Sequence, residues 1–246
     1  MSQSNLSSEN TFNISGSSIT NLTGSGNIYY NEATPQSGQQ NAPDPNLQKL
    51  PVSASNLTSA LKTILFLAAN PKGSPQLRLD EEVREIDAGL QRAKRRDQFV
   101  LQQRWAVNSR DIHRAMLDYQ PQIIHFSGHG AGEEGLVLED ETGKPQLVDT
   151  AALSSLFELF SDRVECVVLN ACYSQTQAEA IAQHIPYVIG MNKAIGDQAA
   201  IEFAVGFYDA IAAGESVEFA YKLGCNTIRM AGIAEHLTPV LIQKST

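Results

Sequence analysis

Val164 to Ser174 reads VECVVLNACYS. Val164, Cys166, Val167, Val168 and Leu169 make a run too apolar and too β-branched for a strand with one wet face. Such a run suits a central strand covered on both sides, as in a parallel sheet between helical layers. It cannot easily continue through Asn170, Ala171 and Cys172, so Cys172 is expected where the strand ends. In open α/β sheets that edge is where ligands meet the protein.

Working outward, the flanking sequence alternates buried strands with helices. Thr63 to Ala69 (TILFLAA) reads as a first strand, ended by Asn70-Pro71-Lys72-Gly73. Leu79, Val83, Ile86 and Leu90 recur at helical spacing with charges between them. Phe99 to Val107 reads as a second strand, Ser109 as the N-cap of a helix through Ile112, Met116 and Leu117, and Gln122 to Ser127 as a third strand. A β-hairpin is expected over Gly135 to Val148 and a helix over Thr150 to Phe160, before the strand of VECVVLNACYS. Then follow a helix over Gln175 to His184 and a strand over Pro186 to Met191. Asp197 is expected to cap a helix over Ala199 to Ala212, with another over Ser216 to Met230 and a short last strand at Pro239 to Ile242. Helices between successive buried strands predict an α/β three-layer sandwich over residues 60–246, a mostly parallel sheet with helices on both faces.

Composition narrows the function classes. The 246 residues carry a formal net charge of −9 and no long basic run, which argues against a nucleic-acid partner. The densest basic cluster, Arg92, Lys94, Arg95 and Arg96, suits a helix C-terminus, whose dipole favours cations. Three cysteines, Cys166, Cys172 and Cys225, are too few for a disulfide framework in a chain of this length. No secretory signal and no membrane-spanning apolar run is recognisable, so a cytoplasmic location is expected and a membrane partner is not.

Residues 1–50 are a different material, dominated by Ser, Asn, Thr, Gly and Gln, with Pro35, Pro43 and Pro45 marking a linker. Such a composition buries too little apolar surface to offset chain entropy, so a disordered polar tail is expected. Within it ISGSSITN (Ile14 to Asn21) is echoed by LTGSGNIYYN (Leu22 to Asn31). Asn-rich, nearly uncharged, β-branched segments without Pro can stack as cross-β. Residues 12–31 resemble the bacterial amyloid-signalling motifs that tether effector proteins to sensors with a matching motif.

Two strand ends carry the chemistry. The third strand runs into His125-Phe126-Ser127-Gly128-His129-Gly130 and the fourth into Asn170-Ala171-Cys172-Tyr173-Ser174. If the two strands are parallel neighbours, the His129 imidazole stands beside the Cys172 thiol. A base there would raise the thiolate fraction and with it the reactivity of the sulfur. Gly128 and Gly130 let a substrate backbone approach, and their N–H groups, with that of Cys172, are candidate oxyanion donors. His125 lies inside the strand and reads as a core histidine. A metal set of His125, His129, Cys166 and Cys172 fits poorly, because zinc pairs recur as Cys-x2-4-Cys and Cys166 sits deep in an apolar strand. No dinucleotide fingerprint or P-loop is present.

With HFSGHG at His125 to Gly130 and LNACYS at Leu169 to Ser174, the stretch from Thr63 to Met230 resembles the CHAT family of caspase-like cysteine peptidases. That resemblance implies a caspase-like sandwich, His129 as the catalytic histidine, Cys172 as the nucleophile, and peptide-bond hydrolysis through a thioester. It implies no cofactor and no metal. A backbone carbonyl would suffice to orient the imidazole. Gly130 and Asn170 are the implied substrate-binding positions, Asn170 because the residue two before the nucleophile often shapes the primary specificity pocket. A neutral residue there argues against a strong charge preference of the metacaspase kind. The acids Glu133, Glu134, Glu139, Asp140 and Glu141 around the hairpin could attract basic substrates, though a solvated turn explains them more simply. The implied partners are a protein substrate and a sensor sharing the N-terminal motif, with homotypic assembly, in bacterial defence or cell death. The alternatives are a catalytically silent interaction module and a flavodoxin-like ligand binder.

Overall fold

The computed structural model describes residues 12–14, 17–19 and 61–244. The chain divides into two units, Met1–Ser55 and Asn56–Thr246. In the first, β1 (Phe12–Ile14) and β2 (Ser17–Ile19) pair antiparallel with Phe12 opposite Ile19. The rest of the expected assembly segment, residues 12–31, and the linker after it lie outside the described residues.

In the second unit the order is β3 (Lys62–Ala68), α1 (Leu79–Arg92), β4 (Phe99–Arg104), α2 (Ser109–Tyr119) and β5 (Ile123–Ser127). Three short strands follow, β6 (His129–Gly130), β7 (Leu136–Glu139) and β8 (Pro145–Val148). The chain continues through α3 (Thr150–Leu159), β9 (Cys166–Asn170), α4 (Gln175–Ile181), β10 (Tyr187–Met191), α5 (Asp197–Ala213), α6 (Val217–Met230) and β11 (Pro239–Gln243). The main sheet has six strands in the order β11-β10-β9-β5-β3-β4, all parallel except β11, which runs antiparallel to β10.

Handedness decides which helix covers which face. The step from β3 to β4 moves one way across the sheet, whereas β4 to β5, β5 to β9 and β9 to β10 all move the other way. Right-handed crossovers therefore send α1 to one face and α2, α3 and α4 to the opposite one. The core divides accordingly. Leu65, Leu67, Val167 and Leu169 pack with Met116, Phe157 and Ile181, while Ile64, Phe66, Cys166 and Val168 pack with Ile86, Phe203 and Phe207. Alternate residues of β3 and β9 thus serve opposite layers, so both strands read as unbroken apolar runs. The architecture is the expected three-layer sandwich with a mostly parallel sheet.

Several boundaries differ from the sequence reading, each for a local reason. β9 begins at Cys166 because the Val164 N–H is bonded to Phe160 O at the exit of α3. The strand does extend through Asn170, which pairs opposite Ser127 on β5. β4 stops at Arg104, ahead of Ala106 with its left-handed φ of 53°. Asn108, not Ser109, caps α2, since only Asn108 has an acid three residues on to complete a capping box, its Oδ1 accepting from Asp111 N at 3.0 Å. Gly196 is the N-cap of α5, and Asp197 is the first-turn acid rather than the cap. The hairpin gains a third strand, with His129 and Gly130 pairing with Val137 and Leu136.

Among the described residues no helix is long and apolar enough to cross a membrane.

Candidate active site

β5 and β9 are parallel neighbours in register from Ile123–Cys166 to Ser127–Asn170. The segments that follow them leave the sheet at one edge, side by side. β3, on the other side of β5, ends at the same edge, and the strand order reverses around it. A crevice at such a reversal is the usual ligand site of an open α/β sheet. The loop after β3 reaches the histidine: His129 Nε2 lies 3.1 Å from Pro75 O and 3.3 Å from Asn70 Oδ1. A carbonyl oxygen only accepts, so Nε2 carries the proton and Nδ1 of the neutral ring is left as a base. Asn70 is held in turn, its N–H donating to Glu139 Oε1 at 3.0 Å.

The turn carrying the thiol is fixed from both sides. Ser174 Oγ donates to Leu169 O at 2.9 Å and accepts from Met191 N at 3.0 Å, tying β9 to β10. Tyr173 sits at a left-handed φ of 55° with its N–H on Lys193 O, a conformation costing a bulky residue about 1 kcal/mol or more. A Cβ on Gly130 would stand 2.0 Å from Cys172 O and 3.4 Å from Cys172 N, so only glycine lets the two backbones meet. The Cys172 N–H has no acceptor among the described residues. The sulfur accepts from Ile195 N at 3.4 Å and lies 3.7 Å from Ile195 O, with no hydrogen bond to the His129 ring. In unliganded sites such bonds are often long and tighten only around substrate.

His129 and Cys172 line one cleft, together with Gly128, Asn170 and Glu82. Asn170 is 4% exposed, and its Nδ2 donates to Glu82 Oε1 at 2.6 Å and to Ala200 O at 3.3 Å. Glu82, itself 2% exposed, also accepts from Ser127 Oγ at 2.5 Å and has His125 Nε2 2.8 Å from Oε1. His125 is fully buried, stacked on Phe66 with Nδ1 3.1 Å from the Tyr208 hydroxyl. It belongs to the core beneath the cleft and does not touch the thiol. Burial, with Cys166 and Glu82 nearby, pushes the Tyr208 hydroxyl well above its ordinary range.

The residues weighed as a metal set are not gathered, since Cys166 opens β9 and Cys172 lies beyond its far end. Among the described residues no cluster of His, Cys, Asp and Glu suits a metal ion. Burial, reinforced by Glu165, pushes the Cys166 thiol far up, and burial raises Cys225 too. The hairpin acids are largely engaged. Glu139 holds Asn70, Glu141 pairs with Arg110, and Asp140 accepts from Lys144 N and Thr142, which holds its carboxyl below the usual range.

Asn70, Pro75 and Glu82 had no place in the sequence reading of the site. One signal for Glu82 was present: it falls on the same helical face as Leu79, Val83 and Ile86, where an acid is out of place. Nothing in NPKG marked Asn70 as more than the end of a strand.

The CHAT domain family model matches residues 32–222. The chain is 26% identical over 181 residues to a Roc-COR-CHAT protease of an unknown prokaryotic organism, covering 71% of this chain and 17% of that protein. It is 27% identical over 203 residues to a probable protease of Gillisia limnaea, covering 76% of this chain and 36% of that protein. The chain thus spans 17% and 36% of the lengths of these relatives. Among solved structures, the Drosophila initiator caspase Dronc aligns with a TM-score of 0.47 at 8% identity, over 86% of this chain and 94% of that one. A secreted C11 cysteine protease from Bacteroides thetaiotaomicron aligns with a TM-score of 0.45 at 10% identity, over 68% and 61%.

Proposed function

The chain belongs to the CHAT domain family, and from that premise we propose that it is a cysteine endopeptidase with Cys172 as nucleophile and His129 as base and acid. One observation carries the reading. The His129 ring is anchored through Nε2 to the Pro75 carbonyl, which leaves Nδ1 free at the cleft that Cys172 lines. The relatives named as proteases support it.

The steps follow from the groups present. Nδ1 takes the thiol proton as the thiolate attacks the carbonyl carbon of the scissile peptide, and the negative charge moves to the carbonyl oxygen. The unpartnered Cys172 N–H receives that oxygen, helped by the Gly130 N–H where the glycine backbone meets Cys172. The imidazolium returns the proton to the leaving amine, the C–N bond breaks, and a thioester remains on Sγ. Water, deprotonated by Nδ1, then releases the new carboxylate and restores the thiol. The Pro75 carbonyl keeps the tautomer throughout, a positioning task that needs no third side chain.

In this reading the peptidase works in the cytoplasm, unaided by a metal or a cofactor. Residues 12–31 recruit it to a sensor protein with a matching motif, and homotypic assembly there switches on cleavage of a specific protein in bacterial defence or cell death. The domain boundary falls between the segment of residues 1–50 and a peptidase domain of residues 60–246. The sulfur's bonds to Ile195, with none to His129, favour a second reading, a silent interaction module.

Two variants decide between them. Cys172→Ala and His129→Ala are each expected to lower peptide cleavage at least ~10³-fold with an unchanged circular dichroism spectrum. Cleavage at the wild-type rate by either variant rejects the peptidase reading. A wild-type protein that cleaves nothing, even when assembled with its sensor, supports the silent module.

A further inference from the structure

Beside Cys172 the cleft is floored by an amide with a forced orientation. Asn170 Nδ2 faces two acceptors, Glu82 Oε1 and Ala200 O. The reversed amide would set an oxygen against both, so Oδ1 must take the other place. There it is buried and without a partner, on a residue that lines the cleft. Buried acceptors are rarely left unpaired in folded proteins, and an orphan of this kind beside a reactive thiol calls for a donor that arrives with a ligand.

The charges around the cleft select among donors. Two carboxylates line it, Glu82 from α1 and Asp197 from α5. The guanidinium of Arg78 lines it as well, but its Nε donates to Glu81 Oε2 at 2.7 Å and its Nη1 to Gln198 Oε1 at 3.1 Å. The N-termini of α1 and α5 add about half a positive charge each, and the first turns of these helices already hold Asp80, Glu81, Glu82 and Asp197. Arg78 is taken up by Glu81, and Glu82 by Asn170, Ser127 and His125, so Asp197 is the carboxylate left to face a ligand. Leu77, Leu79, Ile195 and Ile201 supply apolar wall between these polar points, suited to an aliphatic stem ending in a cation. An acidic side chain would meet only acceptors at the floor, and an aliphatic one would leave Asn170 Oδ1 unpaired.

We infer that this cleft receives a lysine or arginine side chain from the substrate residue whose carbonyl Cys172 attacks, with Asn170 Oδ1 accepting from it and Asp197 balancing its charge. The inference rests on the peptidase reading and adds the substrate class. It revises what the neutral Asn170 implied by itself: the charge absent from that position comes from Asp197 in the first turn of α5. Glu82 acts as a positioning residue, pinning the amide so that its oxygen is the atom left free.

The test uses the full chain and a fluorogenic peptide library varied at the residue on the acyl side of the cut, with Cys172→Ala as control. Lysine or arginine there is expected to give at least ~10-fold higher kcat/KM than leucine or aspartate. Asp197→Asn, at a half-buried position that tolerates the change, is expected to shrink the arginine-to-leucine ratio several-fold by raising KM for arginine substrates. Glu82→Gln is expected to shrink it further. Asp197→Asn decides alone if Glu82→Gln fails to fold. A best residue of leucine or aspartate, or a ratio unmoved by the substitutions, overturns the inference and leaves the peptidase reading intact. A library in which nothing is cut, even with the protein assembled with its sensor, removes the peptidase reading and this inference with it.

Discussion

Cys166 and Cys172 stand at opposite ends of one strand and have opposite surroundings. Cys166 opens β9, fully buried between Ile123 of β5 and Tyr187 of β10, its thiol pushed far up by that burial. Cys172 lies two residues past the end of the strand, half-exposed, in a turn with a left-handed neighbour, an unpartnered N–H and a cleft in front of it. The same functional group is inert at one end and available at the other. What separates them is the sheet edge: inside, the backbone of β9 pairs with β5 and β10, and outside, the backbone turns away and leaves the Cys172 N–H free. Exposure of the thiol here is a property of where the strand stops.

The largest test of that contrast is at Gly130. A methyl group there would press on Cys172 O, so Gly130→Ala must displace either β6 or the Cys172 turn. Peptide cleavage should fall ~10²-fold or more, with a smaller loss of thermal stability, as misplacement of reacting groups by an ångström does. A Gly130→Ala variant with wild-type kcat/KM would mean that the contact between these backbones has no bearing on the site.

Thiol labelling probes the contrast directly. Iodoacetamide near neutral pH should modify Cys172 at least ~10-fold faster than Cys166 or Cys225, read by peptide mapping of the native protein. Equal labelling of Cys166 and Cys172 would erase the distinction between the two ends of β9.

The smallest effect belongs to the buried end alone. Cys166 and Tyr208 keep their protons in the fold well above their ordinary values of 9.0 and 10.0. Below about pH 8 the folded and unfolded chains hold these protons equally, and no stability depends on them. At higher pH the unfolded chain releases protons that the folded chain retains, so unfolding becomes easier as pH rises. The urea midpoint should decline between about pH 9 and 11, and Cys166→Ala, less stable overall, should decline less steeply. A midpoint that rises over this range would contradict the burial of both groups.

Much of the fold was legible in the sequence because its elements are set by short-range pattern. The short, β-branched apolar runs of β3 and β9 suit strands buried on both faces, and the spacing of Leu79, Val83, Ile86 and Leu90 suits one face of a helix. Where the local reading slipped, at the caps of α2 and α5 and the start of β9, the deciding bond was made by a neighbour one or a few positions away. That His129 and Cys172 come to one cleft was legible as well, since it needs only that β5 and β9 be parallel neighbours.

The rest of the site was beyond any local pattern. His129 meets Pro75 across 54 residues of sequence, and Asn170 meets Glu82 across 88. Which carbonyl anchors the ring, which acid pins the amide, and which oxygen is left without a partner depend on side-chain directions and loop paths that only the packed layers fix. The sequence by itself determined the strands, their chemistry-bearing ends and the thiol worth watching. The tertiary structure decided that an acid 88 residues before Asn170 pins the amide beside the thiol, because burial and hydrogen bonding act through space and take no account of distance along the chain.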